Sequence, residues 1–239
     1  MEKVAVITGG SGGIGRACAT ALLARGYRVV LTARTAEPLR HAAEEIGAEW
    51  VAADAADETS FAEVVADLDR VDLLVHAAGI LAGTFVRKES VATFDEVIRA
   101  NLRSTFVATA GVLPKMGVGG RIIYISSTAG RRGMKGRTAY SASKGAMNAF
   151  AEGLRDEVAR DGINVNVLVV APVDTPMLEA VTFPMHTLQA RDVADAVVFL
   201  DGLDPAVVLP EFEIRAADQG PLAAEPVRPA AYLDKQAGV

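Results

Sequence analysis

The amino-acid sequence predicts a doubly wound α/β fold: a parallel sheet of about seven strands with helices on both faces. Three observations carry this. Short runs rich in β-branched residues alternate with longer stretches of helical periodicity along most of the chain. The strand-like runs are almost wholly apolar, which suits strands buried on both faces. And 239 residues, 51% of them hydrophobic, are enough for one large domain with a substantial core.

The elements follow in order. "VAVI" at Val4–Ile7 is the first strand, and "RACATALLARG" is a helix ended by Gly26. "YRVVLTA" is the second strand and "AEPLRHAAEEIG" the second helix. "AEWVAAD" is the third strand, followed by a helical "SFAEVVADLD". "VDLLVHAAG" is the fourth strand, and apolar periodicity places one long helix over roughly Val91–Leu113. "RIIYISS" is the fifth strand, and "RTAYSASKGAMNAFAEGLRDEVARDG" carries the next helix. "INVNVLVVAP" is the sixth strand, Arg191–Leu203 a helix, and "EFEIRAA" a seventh strand. Residues 1–218 therefore read as a single domain. A tail at 219–239, with Pro221, Pro226 and Pro229, reads as a C-terminal extension.

A net charge of -6 argues against general nucleic-acid binding, which needs a positive field to meet phosphates. The one cysteine, Cys18, sits in the apolar run "ACATALLA" and reads as a small core residue. With no disulfide possible, no run long enough to span a membrane and no signal-peptide pattern at the start, a cytoplasmic location is expected.

"TGGSGGIG" at Thr8–Gly15 lies directly after the first strand and opens the first helix. Phosphates seek backbone N–H donors and the positive end of a helix dipole, and glycines let the chain approach them closely. Gly9, Gly13 and Gly15 fit that task, with Thr8, Ser11 and Ile14 in the same loop. The second strand ends at Ala33–Arg34–Thr35. An acidic residue there would suit a free ribose hydroxyl; Arg34 suits a 2′-phosphate, with Thr35 assisting, and NADP(H) is favoured over NAD(H). Glu37 is the competing ribose partner. Asp54, followed by Ala55, is a candidate adenine contact or a capping residue. Ala78 and Gly79 end the fourth strand where a cofactor ribose would lie. His76 reads as structural, and neither it, His41 nor His186 belongs to a metal-binding pattern, so no metal is expected.

In "AYSASK", Tyr140 and Lys144 are four residues apart on a helix and share a face. A nearby ammonium would lower the phenol's pKa and suit it to proton transfer. With "TGGSGGIG", "HAAG", Asn101 in "RANLRST", "ISSTAG" and "VAPVDTPM", in this order, the chain resembles the short-chain dehydrogenase/reductase family over nearly its whole length. The resemblance implies a Rossmann-like fold. Ser127, thirteen residues before Tyr140, is implied as the catalytic serine, Tyr140 as general acid/base and Asn101 as part of a water-linked proton path. Lys144 is implied to bind the nicotinamide ribose as well. Pro172 and Thr175 are implied at the carboxamide end of the cofactor. The implied reaction is hydride transfer to a ketone or aldehyde, reversibly from an alcohol, by a homodimer or homotetramer. A 3-oxoacyl thioester reductase is its narrower form. A catalytically impaired nucleotide-binding regulator is the alternative.

Two departures stand out. His76 and Ala77 replace the family's two asparagines, and "PVDT" is about two residues shorter than the family's segment between proline and threonine. The segment Met177–Gln189 is also short. It predicts an open substrate pocket or one completed by a partner subunit, and Pro176 and Pro184 exclude a long helix across it. Finally, Arg131, Arg132, Lys135 and Arg137 lie between Ser127 and Tyr140. They form either a solvated turn or a steering patch for anionic substrates.

Overall fold

A computed structural model describes residues 2–178 and 186–217. Pro184, part of the predicted cover and the extension at 219–239 lie outside the described residues. Seven strands form one parallel sheet: β1 (Lys3–Thr8), β2 (Tyr27–Ala33), β3 (Glu49–Ala52), β4 (Leu73–His76), β5 (Arg121–Ser127), β6 (Asn164–Val170) and β7 (Glu211–Ile214). Their order across the sheet is β3-β2-β1-β4-β5-β6-β7. The chain winds outward from β1 to β3, then returns to β4 on the other side of β1. That reversal opens a crevice at the carboxyl ends of β1 and β4. Thr8 pairs with Thr32 on one side and His76 on the other, so the loops after β1, β2 and β4 leave the sheet side by side.

Both faces are covered. Val4 and Val6 of β1 face one core with α3 (Glu58–Val65), α5 (Ser104–Val112) and α6 (Thr138–Val158). Ala5 and Ile7 face the other with α1 (Gly13–Leu23), α2 (Ala36–Ile46) and α7 (Ala190–Asp201). A strand whose successive side chains enter two different cores must be apolar at every position, which is why these segments do not alternate. Helix ends are set locally. The Asp57 carboxylate accepts from Ser60 N at 2.8 Å at the start of α3, and Gly47, at φ 74°, closes α2 in the left-handed conformation.

The single helix predicted over Val91–Leu113 is interrupted. α4 (Val91–Ile98) and α5 are joined by a π-helical turn at Arg99–Arg103. Hydroxyls serve two carbonyls of the widened turn: Ser104 Oγ donates to Ala100 O at 2.7 Å and Thr105 Oγ1 to Asn101 O at 2.7 Å. The turn centres on Asn101, which is buried.

Candidate active site

Two cavities adjoin at the crevice. The first, about 200 Å³, lies between the glycine loop, the end of β2, the end of β3 and the end of β4. Of the predicted residues it is lined by Gly9, Ser11, Arg34, Thr35, Asp54, Ala55, Ala78 and Gly79. The second, about 130 Å³, is lined by Ile14, Ser127, Tyr140, Lys144, Pro172 and Thr175 among others. Gly79 lines both. Thr8, Gly13, Gly15 and Asn101 are the predicted site residues that line neither.

The glycine loop needs its glycines for space. Gly9 has φ +71°, and a Cβ there would lie 2.8 Å from the Ala77 carbonyl. A Cβ on Gly15 would lie 2.3 Å from Gly9 O. Any side chain would push the loop off the strand or off the helix it opens.

At the first cavity, Arg34 Nη1 meets Glu96 Oε1 at 2.9 Å, Arg99 Nε meets Glu96 Oε2 at 2.8 Å, and Arg99 Nη1 meets Asp54 Oδ2 at 2.6 Å. Burial alone would raise Asp54, but the Ala56 N–H and the Arg99 guanidinium outweigh it and hold the carboxyl below its usual range. Asp54 thus closes a local turn onto Ala56 while still facing the cavity, and the cap of α3 is Asp57. Glu37, the competing ribose partner, is engaged by Arg40 at 2.7 Å.

In the second cavity Ser127 and Tyr140 lie together, the Ser127 hydroxyl near enough to draw the phenol's pKa down, and Ser127 Oγ accepts from Ala129 N at 3.1 Å. Lys144 is buried, and its ammonium donates to Ile125 O at 2.8 Å. Burial brings the Lys144 pKa down to about 8. The Tyr140 pKa is raised by burial, which outweighs the lowering by Ser127. The sequence predicts the opposite direction for the phenol, through a neighbouring ammonium. In the structure that ammonium is turned to the Ile125 carbonyl, and desolvation dominates. Beneath them, Asn101 Oδ1 accepts from Ile80 N at 2.7 Å, while Nδ2 donates to Ile80 O at 3.1 Å and to Ser143 Oγ at 2.9 Å. A Cβ on Gly79 would lie 2.8 Å from Asn101 Oδ1 and 3.8 Å from Lys144 Nζ.

A glycine loop at the switch point and a serine–tyrosine–lysine cluster one cavity away are joined by a direct sequence match. Residues 3–184 match the family model for short chain dehydrogenase. The chain belongs to the short-chain dehydrogenase/reductase family.

Within this family, the chain is 34% identical over 216 residues to 3-oxoacyl-[acyl-carrier-protein] reductase from Bos taurus, covering 84% of this chain and 91% of the relative. It is 33% identical over 209 residues to acetoacetyl-CoA reductase from Cupriavidus necator, covering 82% of each. Among solved structures it resembles BdcA in complex with NADPH, with a TM-score of 0.82, 30% identity, and 89% of this chain and 92% of that chain covered.

Both departures from the family pattern have a physical resolution. His76 is fully buried, with Thr8 Oγ1 at 2.9 Å from Nδ1 and Ser104 Oγ at 3.2 Å from Nε2. The single Ser104 proton goes to Ala100 O, so Nε2 carries the ring proton. Nδ1 then accepts from Thr8, whose oxygen accepts from Ala78 N at 3.1 Å. This neutral ring ties β1, β4 and the start of α5 together, and burial, aided by the Lys144 charge, holds its pKa down to about 3. The shortened Pro172–Thr175 segment is pinned by Leu188: Leu188 N donates to Pro172 O at 2.9 Å and Asp174 N to Leu188 O at 2.8 Å. Thr175 thereby packs over the glycine loop, its Cγ2 3.1 Å from where a Gly13 Cβ would stand.

Sequence reasoning did not single out Arg99, whose partner Asp54 is 45 residues away, or the anchoring of Ile80 by Asn101. No local pattern signals either. Cys18 is buried, with a thiol pKa pushed up to about 12, as befits a core residue. Among the described residues no helix is long and apolar enough to cross a membrane.

Proposed function

We propose that the protein is an NADP(H)-dependent oxidoreductase that reduces a ketone or aldehyde, and in reverse oxidises the alcohol. The observation that carries this reading is the meeting of Ser127, Tyr140 and the buried Lys144 in one cavity, which shares Gly79 with one lined by Arg34. The cofactor, when bound, supplies a hydride to the carbonyl carbon. Tyr140, kept protonated by its burial, gives its phenolic proton to the carbonyl oxygen as that oxygen gains charge. Ser127 holds the same oxygen, and a donor placed in advance lowers the barrier by stabilising the developing charge. The Lys144 ammonium compensates the phenolate left behind. Asn101 acts as a positioning residue, since its amide is spent on Ile80 and Ser143.

NADP(H) is favoured because Arg34 presents a guanidinium to the first cavity while Glu37 is turned to Arg40. A relative bound to NADPH agrees with this choice. Gly9, Gly13 and Gly15 shape the phosphate loop. Thr8, Ser11, Ile14, Thr35, Asp54, Ala55, Ala78, Gly79, Pro172 and Thr175 complete the cofactor site. Residues 1–218 act as one catalytic and cofactor-binding unit, in a cytoplasmic homodimer or homotetramer. A 3-oxoacyl thioester is the narrower substrate reading, in keeping with two named relatives.

The test is consumption of NADPH and NADH with a panel of ketones, aldehydes and acyl thioesters, beside Tyr140→Phe. Turnover with NADPH that drops at least a hundredfold in the variant supports the assignment. Turnover indifferent to the substitution refutes Tyr140 as the proton donor. Nucleotide binding without turnover across the panel points instead to the nucleotide-binding regulator.

A further inference from the structure

The four basic residues between Ser127 and Tyr140 do not act together. Arg131 is neutralised at the sheet edge, paired with both Glu211 and Glu213 of β7. Lys135 lies 5.7 Å from the centre of the Phe85 ring, outside the cavity, and Arg132 is exposed and also outside it. Arg137 alone lines the second cavity, one turn before Tyr140 on the same chain segment.

Its setting is unusual for an arginine. Nη1 donates to Gly83 O, and to Gly136 O at 2.9 Å, which fixes the guanidinium plane against two backbone carbonyls. Both bonds use one nitrogen. Nε and Nη2, the fork edge suited to a carboxylate, donate to no described residue, and Arg137 has no ion pair among the described residues. The nearby Glu89 carboxylate is turned to Thr84 N at 2.6 Å. The charge balance of the cavity points the same way. The protein carries a net charge of -6, yet among the described residues no aspartate or glutamate lines this cavity; the charged groups that line it among them are Arg137 and Lys144, both cations. Most of the remaining lining is apolar, with Ile80, Leu81, Met134, Val173 and Met177. A half-buried guanidinium held from behind, with its fork unspent, is an arrangement ready to bind an anion bidentately.

We infer that Arg137 is a specificity residue that binds a carboxylate on the substrate, so that the preferred substrates are small oxo acids with an apolar body. This rests on the carbonyl-reductase reading and narrows it toward free oxo acids in place of the 3-oxoacyl thioester. The carboxylate would occupy the Arg137 fork while the ketone oxygen meets Ser127 and Tyr140. A neutral ester or thioester of the same skeleton would forfeit the charge pairing.

The full-length protein with NADPH is assayed against 2-oxo, 3-oxo and 4-oxo acids of four to six carbons, each beside its methyl ester. At least one acid is expected to exceed its ester in kcat/KM by tenfold or more. Arg137→Met should lower that acid's kcat/KM by about a hundredfold, leave the ester within threefold, and leave the NADPH dissociation constant unchanged. Arg137→Lys should recover part of the loss. Inhibition of the wild type adds a readout that needs no variant: butyrate should compete with the oxo acid at least tenfold better than butanamide. If no acid outperforms its ester, or if Arg137→Met lowers acid and ester alike while NADPH still binds, the inference is overturned. Robust reduction of esters or thioesters in that case leaves the carbonyl-reductase reading standing. Failure of every carbonyl compound despite NADPH binding overturns both.

Discussion

Burying a neutral histidine beside the glycine loop makes the fold sensitive to acid in a calculable way. In the unfolded chain His76 takes up a proton near its ordinary pKa of 6.5, whereas in the fold burial holds it down to about 3. The unfolded state therefore binds more protons than the folded one throughout that window, and stability must fall as the pH falls from 6.5 toward 3. At pH 4.5 the free-energy loss from this one ring is about 3 kcal/mol, and it approaches about 5 kcal/mol below pH 3, at about 1.4 kcal/mol per pKa unit. Acid also removes the stabilisation from carboxylates that the fold holds below their ordinary pKa, Asp54 and Glu96 among them, so the wild type alone cannot isolate the effect. His76→Asn keeps a hydrogen-bonding group in place without a titrating ring. Urea unfolding of both proteins at pH 7.0, 5.5 and 4.5 gives the difference in stability at each pH, from which the shared titrations cancel. The asparagine variant is expected to be the less stable at pH 7, because it loses the span between Thr8 and Ser104. That gap should then shift by about 3 kcal/mol in the variant's favour by pH 4.5. A gap that stays constant from pH 7.0 to 4.5 would show that the folded protein accommodates the charged imidazolium, and the reasoning from burial would be wrong.

Other outcomes follow from the same geometry. Gly79→Ala places a methyl group 2.8 Å from Asn101 Oδ1, so it should cost about 1–3 kcal/mol in stability by thermal unfolding and lower turnover by displacing the Ile80 loop. Because Lys144 is an ammonium only below about pH 8, kcat/KM for NADPH should fall as the pH rises through that value. Lys144→Met should lose at least a hundredfold in activity and show no inflection there. Arg34→Gln should raise the KM for NADPH about tenfold or more, the worth of a charge-assisted hydrogen bond, and leave the KM for NADH within threefold; an equal rise for both cofactors would refute its role at the 2′-phosphate.

Much of this molecule is legible in the chain because its strands are short, apolar and punctuated by turns. The second strand, "YRVVLTA", is found at its predicted bounds, and Tyr140, Lys144 and Ser127 fall into one cavity as the order of motifs implies. What stays hidden is of three kinds. The π turn escapes because one surplus residue leaves hydrophobic periodicity nearly unchanged on either side of it. Contacts such as Arg99–Asp54 and Arg131–Glu213 join residues far apart in the chain, and no local pattern encodes them. The direction of the Tyr140 shift depends on a balance between burial and charge, which requires knowing that the Lys144 ammonium is directed at a backbone carbonyl. The shortened "PVDT" segment is a related case. Counting residues suggests a displaced threonine, yet the ladder to Leu188 brings Thr175 onto the glycine loop.

The π turn at Arg99–Arg103 has a consequence for how this helix tolerates insertions and deletions. Each residue of an α-helix advances the side-chain direction by about 100°, so a single surplus residue rotates everything downstream by that angle relative to everything upstream. α4 and α5 are in effect two gears on one shaft, meshed out of phase. Removing one residue from the turn would restore an uninterrupted helix and improve its backbone bonding, yet swing Val107, Ala108 and Val112 off the sheet or Asn101 away from Ile80. A length change that any exposed loop would absorb is therefore forbidden here, and the local gain in regularity would be repaid by a core or a catalytic cleft that no longer closes.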